Sequence, residues 1–422
     1  MDSVRFVNQP FSEYLGNILI QKLYEAGQYN CKFTIVSAFA KDSGVLRLKP
    51  ALCEFKKNGG SVDAFIGVDA HGTSYEALVN LLAIVDNLYI IHDNNISRTF
   101  HSKVYCFSMI NGNNIDIPFW MAIGSNNLTC GGLWTNIETA SIIEGTSPYP
   151  SCTMISFMQM ITNYVNPQSE ICRKIICIEQ IDELLNCGLI KKEAQINVEK
   201  AKTSNNNSSH NGSNNMFGTI GRGCAPRIKR EPKGETIQNT DITAIEPIQN
   251  NNNITKEVMW FETKAMTGGS RNILDLSMLG TIICGTCDNT RYETTNPNSV
   301  IGSIAFFDIS PNAIDTIKDI VINYKGKDYY NCTIKFPQNG TNPNGSWRIQ
   351  FKGITNDGEK ISSAEAPYWL TNKIIILEKI FTDYYSMSVL PESVLETIMN
   401  NSIFVAHNGN SLNSKKYGLL SI

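Results

Sequence analysis

Two short motifs in the first half of the chain hold side chains that could catalyse phosphoryl transfer. His101 and Lys103 lie two residues apart, and Ser125 and Asn127 lie two residues apart in a Gly-Ser-Asn-Asn sequence. Residues two apart on a β-strand project from the same face of the sheet. If the motifs lie on adjacent strands, an imidazole, an ammonium, a hydroxyl and a carboxamide meet at one edge of a sheet.

These residue types suit the hydrolysis of a phosphodiester. The reaction needs a nucleophile, donors that hold the phosphoryl oxygens, and an acid that protonates the leaving alkoxide. A neutral histidine can be the nucleophile if a carboxylate holds its other ring nitrogen and fixes its tautomer. We expect His101 to be this nucleophile, and Lys103, Ser125 and Asn127 to donate to the phosphate. Glu138 is the carboxylate expected to orient the imidazole.

Strands and helices alternate around the two motifs. The predicted strands are Cys31–Phe39, Ser61–Val68, Leu88–His92, Ser102–Phe107 and Phe119–Gly124, and the predicted helices are Leu48–Asn58 and Ser74–Val85. This alternation predicts an α/β sandwich around a mixed sheet. The polar turn 111–113 joins the last two strands and makes them neighbours. Each candidate residue taken singly also fits an ordinary surface position; their order on two neighbouring strands indicates catalysis.

Residues 202–255 are predicted to be a linker between two domains, 1–201 and 256–422. The segment loses apolar periodicity and is rich in Asn, Ser, Gly and Pro. It therefore buries too little apolar surface to offset the entropy cost of ordering. Within it, residues 221–233 hold five basic residues and one acidic residue. This run is either a solvated tether or an arm that contacts phosphates.

The second domain, 256–422, is predicted to be rich in β-structure. Short strands are predicted at Val258–Thr263, Ser303–Phe307, Tyr329–Phe336, Trp347–Lys352 and Lys373–Leu377, followed by one helix at Pro391–Met399 and a tail. Gly, Asn and Pro separate them, as in β-rich modules. Arg and Asn side chains can read guanine and adenine in the major groove. The candidate DNA-binding residues, which also fit plain surface loops, are Arg271, Asn272, Asn342, Asn344 and Arg348.

The two motifs together resemble the signature of the phospholipase D superfamily, His-x-Lys followed by Gly-Ser-x-Asn, and the resemblance spans about residues 31–140. It implies that His101 is the nucleophile and that Lys103 and Asn127 clamp the phosphate. Ser125 and Glu138 match the motif's hydroxyl and the downstream carboxylate of the nuclease branch. The aspartate that follows the lysine in the lipase-type motif is absent. Residues 67–78 also resemble the strand-to-helix turn of the nuclease branch.

The resemblance further implies how the reaction is completed. The family uses two facing histidines, whereas this chain has a single His-x-Lys motif. A homodimer with one composite site on its two-fold axis is therefore expected. The second copy of His101 would protonate the leaving oxygen, and water would hydrolyse the phosphohistidine. This chemistry needs no metal and no other cofactor.

The order of the domains resembles a second pattern. Small restriction endonucleases exist in which a phospholipase D-like domain precedes a B3-like DNA-recognition pseudobarrel, and residues 271–276 and 345–353 are similar to that module. The resemblance implies that the two polar loops are arms that enter the groove of double-stranded DNA. A cognate methyltransferase would then be a further partner.

Composition sets outer limits on these interpretations. Thirty-six basic and 39 acidic residues give a net charge of −3, which disfavours a protein that coats nucleic acid with its whole surface but allows a local basic face. No apolar run approaches the roughly 20 residues of a membrane span, and no secretory signal is recognised. We therefore expect a cytoplasmic protein without a membrane partner, whose twelve cysteines are reduced.

Two weaker signals point to metals. Cys284 and Cys287 have the spacing of half a zinc site, but no second pair of ligands follows, so two thiols without a metal are favoured. Glu262 and Lys264, with Asp241 upstream, loosely imitate the carboxylate and lysine set of a metal-dependent nuclease.

The sequence thus predicts a sequence-specific, metal-independent DNA endonuclease of restriction type. Three alternatives remain open. One is a phospholipase or another small phosphodiesterase. The second is a nuclease subunit of a defence complex that needs a separate helicase or ATPase, because this chain has no Walker-type phosphate loop. The third is a DNA-binding protein without catalytic activity.

Overall fold

The computed structural model describes residues 3–27, 30–95, 97–110, 116–145, 152–165, 170–199, 257–265, 272–288, 290–310, 312–337, 347–364, 369–408 and 414–420. The predicted linker lies outside these ranges. Within them, the residues before 200 form an eight-stranded sheet and the residues after 256 form an eleven-stranded sheet. No helix in the described part of the chain is long and apolar enough to cross a bilayer.

The first sheet is mixed and has the order β1-β7-β6-β5-β2-β3-β4-β8. Its strands are β1 (Ser3–Gln9), β2 (Cys31–Ser37), β3 (Ser61–Gly67), β4 (Asn87–Ile91), β5 (Lys103–Ile110), β6 (Asp116–Gly124), β7 (Glu138–Glu144) and β8 (Cys172–Ile175). β2, β3 and β4 are parallel to one another, and the remaining pairings are antiparallel. The predicted neighbours β5 and β6 are indeed paired.

Helices cover both faces of this sheet. They are α1 (Leu15–Ala26), α2 (Asp42–Lys57), α3 (Tyr75–Ile84), α4 (Cys152–Val165), α5 (Ile178–Asn186) and α6 (193–199). Helices α1, α2, α3 and α5 share one apolar core with the sheet, and α4 packs against a second core on the opposite face. The predicted α/β sandwich is confirmed.

Helix α2 begins at Asp42, whereas the sequence predicted its start at Leu48. Gly44 and Pro50 lie within it, and both residues disfavour helix interiors. Gly44 is required by a close approach: a Cβ atom there would lie 2.6 Å from Cα of Thr129 and 2.7 Å from the carbonyl oxygen of Leu128. The first turn of α2 therefore packs directly against the loop that follows β6.

The second sheet has the order β10-β15-β14-β13-β17-β16-β9-β19-β18-β11-β12. Its strands are β9 (Val258–Glu262), β10 (Ile273–Leu276), β11 (Leu279–Gly285), β12 (Ser299–Ile301), β13 (Ile317–Tyr324), β14 (Lys327–Lys335), β15 (Trp347–Gln350), β16 (Lys373–Phe381), β17 (Tyr384–Pro391), β18 (Ser402–His407) and β19 (Lys416–Leu420). Helix α7 (Leu395–Asn400) precedes β18.

This second sheet is curled. β10 lies at one end of the order and β11 lies beside the other end, yet only Ser277 and Met278 separate them in the chain. A flat sheet of ten strands would place them more than about 40 Å apart, whereas this link spans only about 10 Å. The two ends of the sheet must therefore approach each other.

Two expectations for the second half are wrong. Ser303–Phe307 is a 3₁₀ helix instead of a strand, and it ends at Asp308, which has a left-handed φ of 56°. Its apolar side chains are buried as a strand's would be, so the hydrophobic pattern alone did not distinguish the two. The chain after α7 also forms two paired strands, β18 and β19, where only a tail was expected.

The two sheet units pack against each other through α2, α3 and α6 on one side and β9, β13, β14, β16 and β17 on the other. Asn80 in α3 and Asn323 in β13 exchange hydrogen bonds through their carboxamides, at 3.1 and 3.2 Å. Lys49 in α2 forms an ion pair of 2.8 Å with Asp328 in β14. Residues of α6 also belong to an apolar cluster with β9 and β16.

Candidate active site

The His-x-Lys and Gly-Ser-x-Asn motifs lie together at one edge of the first sheet. Lys103 is the first residue of β5, and Ser125 directly follows β6, its antiparallel neighbour. His101, Lys103, Ser125 and Asn127 all line one open cavity of about 490 Å³, together with residues of β7. The structure therefore places the four predicted side chains around one space that is large enough for a phosphate group.

Lys103 and His101 are in direct contact. Nζ of Lys103 lies 2.8 Å from Nδ1 of His101 and donates to the backbone carbonyl of His101 at 2.7 Å. Lys103 is buried, and this desolvation lowers the pKa of its ammonium, while the charge of Glu138 partly opposes the shift. The imidazole of His101 is exposed and its ring meets the edge of Phe39, with 5.9 Å between ring centroids.

Asn127 is fixed in orientation by the end of β2. Its Oδ1 accepts a hydrogen bond of 3.1 Å from the backbone N–H of Phe39, so Nδ2 is the end of the carboxamide that remains to donate to a ligand. The next residue, Leu128, donates to the carbonyl of Phe39 at 3.1 Å. The carboxamide of Asn127 and the ring that contacts His101 are therefore positioned by one backbone segment.

Glu138 is the first residue of β7 and accepts a hydrogen bond from the hydroxyl of Ser125. Its other oxygen accepts from Nδ2 of Asn136 at 3.1 Å. Among the described hydrogen bonds, none joins Glu138 to His101, the contact that the sequence predicted. Within one copy of the chain, the carboxylate positions Ser125, and its role towards an imidazole stays a prediction.

Asp69 belongs to this region but was not identified from the sequence. It is 9% exposed; one carboxylate oxygen lies 2.6 Å from Nδ1 of His92, and the other accepts the N–H of Phe100 at 2.7 Å. Because Phe100 directly precedes His101, this carboxylate holds the segment that carries the imidazole. The only sequence signal was its place in the strand-to-helix turn, residues 67–78.

The two weaker metal signals gain no support. Within the described residues, no group of three or more His, Cys, Asp or Glu side chains is placed to hold a metal ion. Cys284 is exposed whereas Cys287 is buried. Glu262 is buried and accepts the backbone N–H of Lys416 at 2.8 Å, which is a structural contact between β9 and β19. Asp241 lies outside the described residues.

Two of the five candidate DNA-binding residues can be placed. Asn272 directly precedes β10, and Arg348 lies on β15, which pairs with it. Nε of Arg348 lies 3.2 Å from a carboxylate oxygen of Asp275, and Lys335 is opposite Arg348 on β14. Nζ of Lys415 approaches the same aspartate at 3.6 Å. Arg271, Asn342 and Asn344 lie outside the described residues.

No family model and no curated protein matches this chain. Among solved structures, it is similar to Nuc from Salmonella typhimurium, a phospholipase D family member, with 21% identity over 42% of this chain and 100% of that one, at a TM-score of 0.29. It is also similar to NucT from Helicobacter pylori, with 12% identity over 42% and 100% of the two chains and a TM-score of 0.30. Phosphatidylserine synthase from Haemophilus influenzae aligns at 13% identity over 44% and 42%, with a TM-score of 0.32.

Proposed function

We propose that this chain is a phosphodiesterase of the phospholipase D type that hydrolyses DNA. The observation that carries the proposal is the shared cavity of His101, Lys103, Ser125 and Asn127. It combines an exposed imidazole with cationic, hydroxyl and amide donors, the set that in-line displacement at phosphorus requires. The four side chains of this cavity indicate the function; the fold and the net charge do not.

In the proposed reaction, a ring nitrogen of His101 attacks phosphorus and forms a P–N bond while the P–O bond to the leaving alkoxide breaks. Lys103 and Asn127 hold the non-bridging oxygens. An anionic phosphate beside Lys103 would offset its desolvation and so raise the pKa of the ammonium again. The alkoxide takes a proton from a second imidazole. That imidazole then takes a proton from a water molecule, whose oxygen attacks phosphorus while the P–N bond to His101 breaks. No step of this proposed reaction requires a metal ion.

The second imidazole would come from a second copy of the chain. The sheet face beside the cavity carries exposed apolar side chains on neighbouring strands: Phe6 of β1 is 73% exposed and Ile123 of β6 is 40% exposed. Ser141 of β7 lies between them in register. An exposed apolar surface that adjoins a site lacking its acid fits a two-fold contact between identical protomers.

The curled second sheet would be the specificity module of a restriction-type endonuclease. Arg348 and Lys415 both approach the carboxylate of Asp275, and Lys335 is opposite Arg348 on the next strand. Basic side chains therefore outnumber this aspartate on this part of the surface. Such a surface favours contact with the phosphates of double-stranded DNA. A B3-like arrangement of the sheet and a cognate methyltransferase are parts of the same proposal.

The test is plasmid cleavage in excess EDTA by the wild type, His101→Ala and His407→Gln. We expect the wild type and His407→Gln to cut and His101→Ala to lose at least about 10³-fold in rate, because the nucleophile is removed. His407 is a matched control because it lies on β18 in the other sheet. Discrete fragments would add sequence specificity.

Cleavage that requires Mg²⁺ and is unchanged in His101→Ala would overturn the histidine mechanism. Hydrolysis of phospholipid vesicles without cleavage of DNA would redirect the proposal to a lipase. Cleavage that appears only with an added helicase and ATP would assign the chain to a larger complex.

A further inference from the structure

Three carboxyl groups are buried where the two sheet units pack together. Asp42 begins α2, Glu76 lies in the first turn of α3, and Glu193 begins α6. They are 1%, 7% and 5% exposed, respectively. None of them takes part in the proposed reaction, and the polar groups that hold them come from both units.

Asp42 contacts the second unit through one carboxylate oxygen and its own unit through the other. One carboxylate oxygen accepts the hydroxyl of Ser386 in β17 at 2.6 Å, and the other accepts Nδ2 of Asn80 at 2.7 Å. The backbone N–H of Asp42 donates to a carboxylate oxygen of Glu193 at 2.8 Å. A second carboxyl group is thus held directly against the first.

Glu76 repeats the arrangement two residues further along β17. Its Oε1 accepts the hydroxyl of Ser388 at 2.8 Å, and its Oε2 accepts the backbone N–H of Glu193 at 2.7 Å. Ser386 and Ser388 are two residues apart on the strand and therefore face the same way. One strand of the second unit thus supplies a hydroxyl to Asp42 and another to Glu76.

The charged and titratable groups that face Asp42 come from several elements. Glu193, Glu76 and Glu378 of β16 act on it electrostatically, and its own negative charge in turn affects Tyr384 of β17. The two basic side chains nearest to Asp42 along α2 have other partners. Arg47 donates to the carbonyls of Ser43 and Ile380, and Lys49 is paired with Asp328.

Burial raises the pKa of both carboxyl groups. Desolvation is the largest cause for Asp42 and for Glu76, and the neighbouring charge of Glu193 adds to it. Hydrogen bonds from Ser386 and Ser388 oppose the rise but do not reverse it. The packed arrangement therefore favours the protonated, neutral forms of these two side chains.

We propose that Asp42 and Glu76, with their partners Ser386 and Ser388, form a proton-dependent latch that holds the two sheet units together. When the units separate, water reaches the carboxyl groups and they ionise as ordinary carboxylates do. When the units dock, the groups lose that water and keep only the hydroxyl and amide donors. Docking therefore takes up protons.

The sign of the pH dependence follows from this uptake. Groups whose pKa is raised in the docked state stabilise docking fully at a pH below their ordinary pKa, and that stabilisation is lost as the pH rises through the raised pKa. Docking should therefore be tightest in mild acid and weaken towards alkaline pH. For each carboxyl group that takes up a proton, the docking equilibrium changes by up to about tenfold per pH unit.

Hydrogen exchange of α6 in the full-length chain measures this docking. Ala194 and Val198 of α6 pack into an apolar cluster with β9 and β16, and so short a helix is not stable when it is undocked. The amide protection factors of residues 193–199, corrected for intrinsic exchange, should fall between about pH 5 and pH 9. The radius of gyration from small-angle scattering should rise over the same range.

Asp42→Asn with Glu76→Gln removes the titration and keeps the shape, because the serine hydroxyls can rotate and accept from the new amides. Its protection factors should change much less with pH than those of the wild type, since only the carboxyl group of Glu193 remains of the three. Glu262→Gln is the matched control: this carboxyl group is buried on β9, and its described hydrogen bond is to the backbone of Lys416 on β19 and not to any residue of the latch. Its variant should keep the wild-type slope.

A wild-type protection factor that does not change with pH would overturn the latch, as would a double variant with an unchanged slope. If circular dichroism shows that the double variant does not fold, the two single variants carry the test. Each should then remove about half of the slope, and an unchanged slope in both would contradict the proposal.

Discussion

At the scale of single residues, Asp69 can position the imidazole of His101 without contacting it. The carboxylate lies between His92 and the N–H of Phe100, so it ties the segment before His101 to the turn that follows β3. We describe it as a positioning residue, because its contacts reach the histidine only through the backbone. Its effect on activity should therefore depend on the geometry of the acceptor and not on its charge.

Asp69→Ala should lower the rate of plasmid cleavage by roughly 10²-fold, the cost of misplacing a catalytic group by about 1 Å. Asp69→Asn keeps an acceptor for Phe100 and should stay within about tenfold of the wild type. Rates under single-turnover conditions, with circular dichroism of each variant, are the measurement. Equal losses in both variants would assign Asp69 to the charge of the site instead of its geometry.

Residue types and spacing were sufficient to find His101, Lys103, Ser125 and Asn127. Each motif is local, and the two-residue period of a strand determines which face of the sheet its side chains project from. The predicted contact of Glu138 with an imidazole stays a prediction; within one chain its described partners are Ser125 and Asn136. Asp69 was missed because its partners lie 23 and 31 residues away in the sequence, and no local pattern predicts such contacts.

At the scale of elements, the loop after β6 depends on α2. The N–H of Lys41 donates to the carbonyl of Leu128 at 3.0 Å, and the absent Cβ of Gly44 lets the helix approach the same loop. The position of Asn127 in the cavity is thus set partly by the first turn of a helix outside the cavity.

Gly44→Ala should lower the free energy of unfolding by about 1–3 kcal/mol, since the added methyl group meets backbone atoms that cannot rotate away. Lys57→Ala on the exposed end of the same helix should change it by less than about 0.5 kcal/mol. Urea denaturation followed by circular dichroism measures both. A stability of Gly44→Ala equal to that of the wild type would show that α2 and the loop can separate without cost.

The alternation of strands and helices was predictable because buried parallel strands and amphipathic helices have distinct periods. The first residues of the elements were less predictable. The predicted start of α2, Leu48, lies six residues after the observed one because Gly44 and Pro50 interrupt its apolar pattern. β1 was not predicted at all. Most of its side chains are exposed, so it lacks the apolar alternation that marks a half-buried strand.

At the scale of the whole molecule, the proposed two-fold contact depends on an exposed apolar face. Phe6 is exposed in the single chain, so its replacement should leave the fold of the protomer intact. A substitution at Phe6 can therefore test the assembly of the protein without changing its fold. The activity of the variant can then be compared with its state of assembly.

Phe6→Asp should convert the dimer into a monomer in analytical ultracentrifugation, because a buried charge without a partner opposes association. DNA cleavage should fall in parallel and recover in part at high protein concentration. Phe11→Asp is the control; Phe11 is also exposed but lies beyond the end of β1. A monomeric wild type with full activity would remove the need for a second imidazole.

The packing between the two units could not be predicted from the sequence, because Asp42, Glu76 and Glu193 meet partners up to 344 residues away. One part of that packing does not ionise. The carboxamides of Asn80 and Asn323 each donate one hydrogen bond to the other and accept one from it, an exchange that fits a single alignment of α3 on β13. The pH would set the strength of the packing between the two sheet units, while this neutral pair would set their alignment. After each separation, the units should therefore dock again in the same alignment.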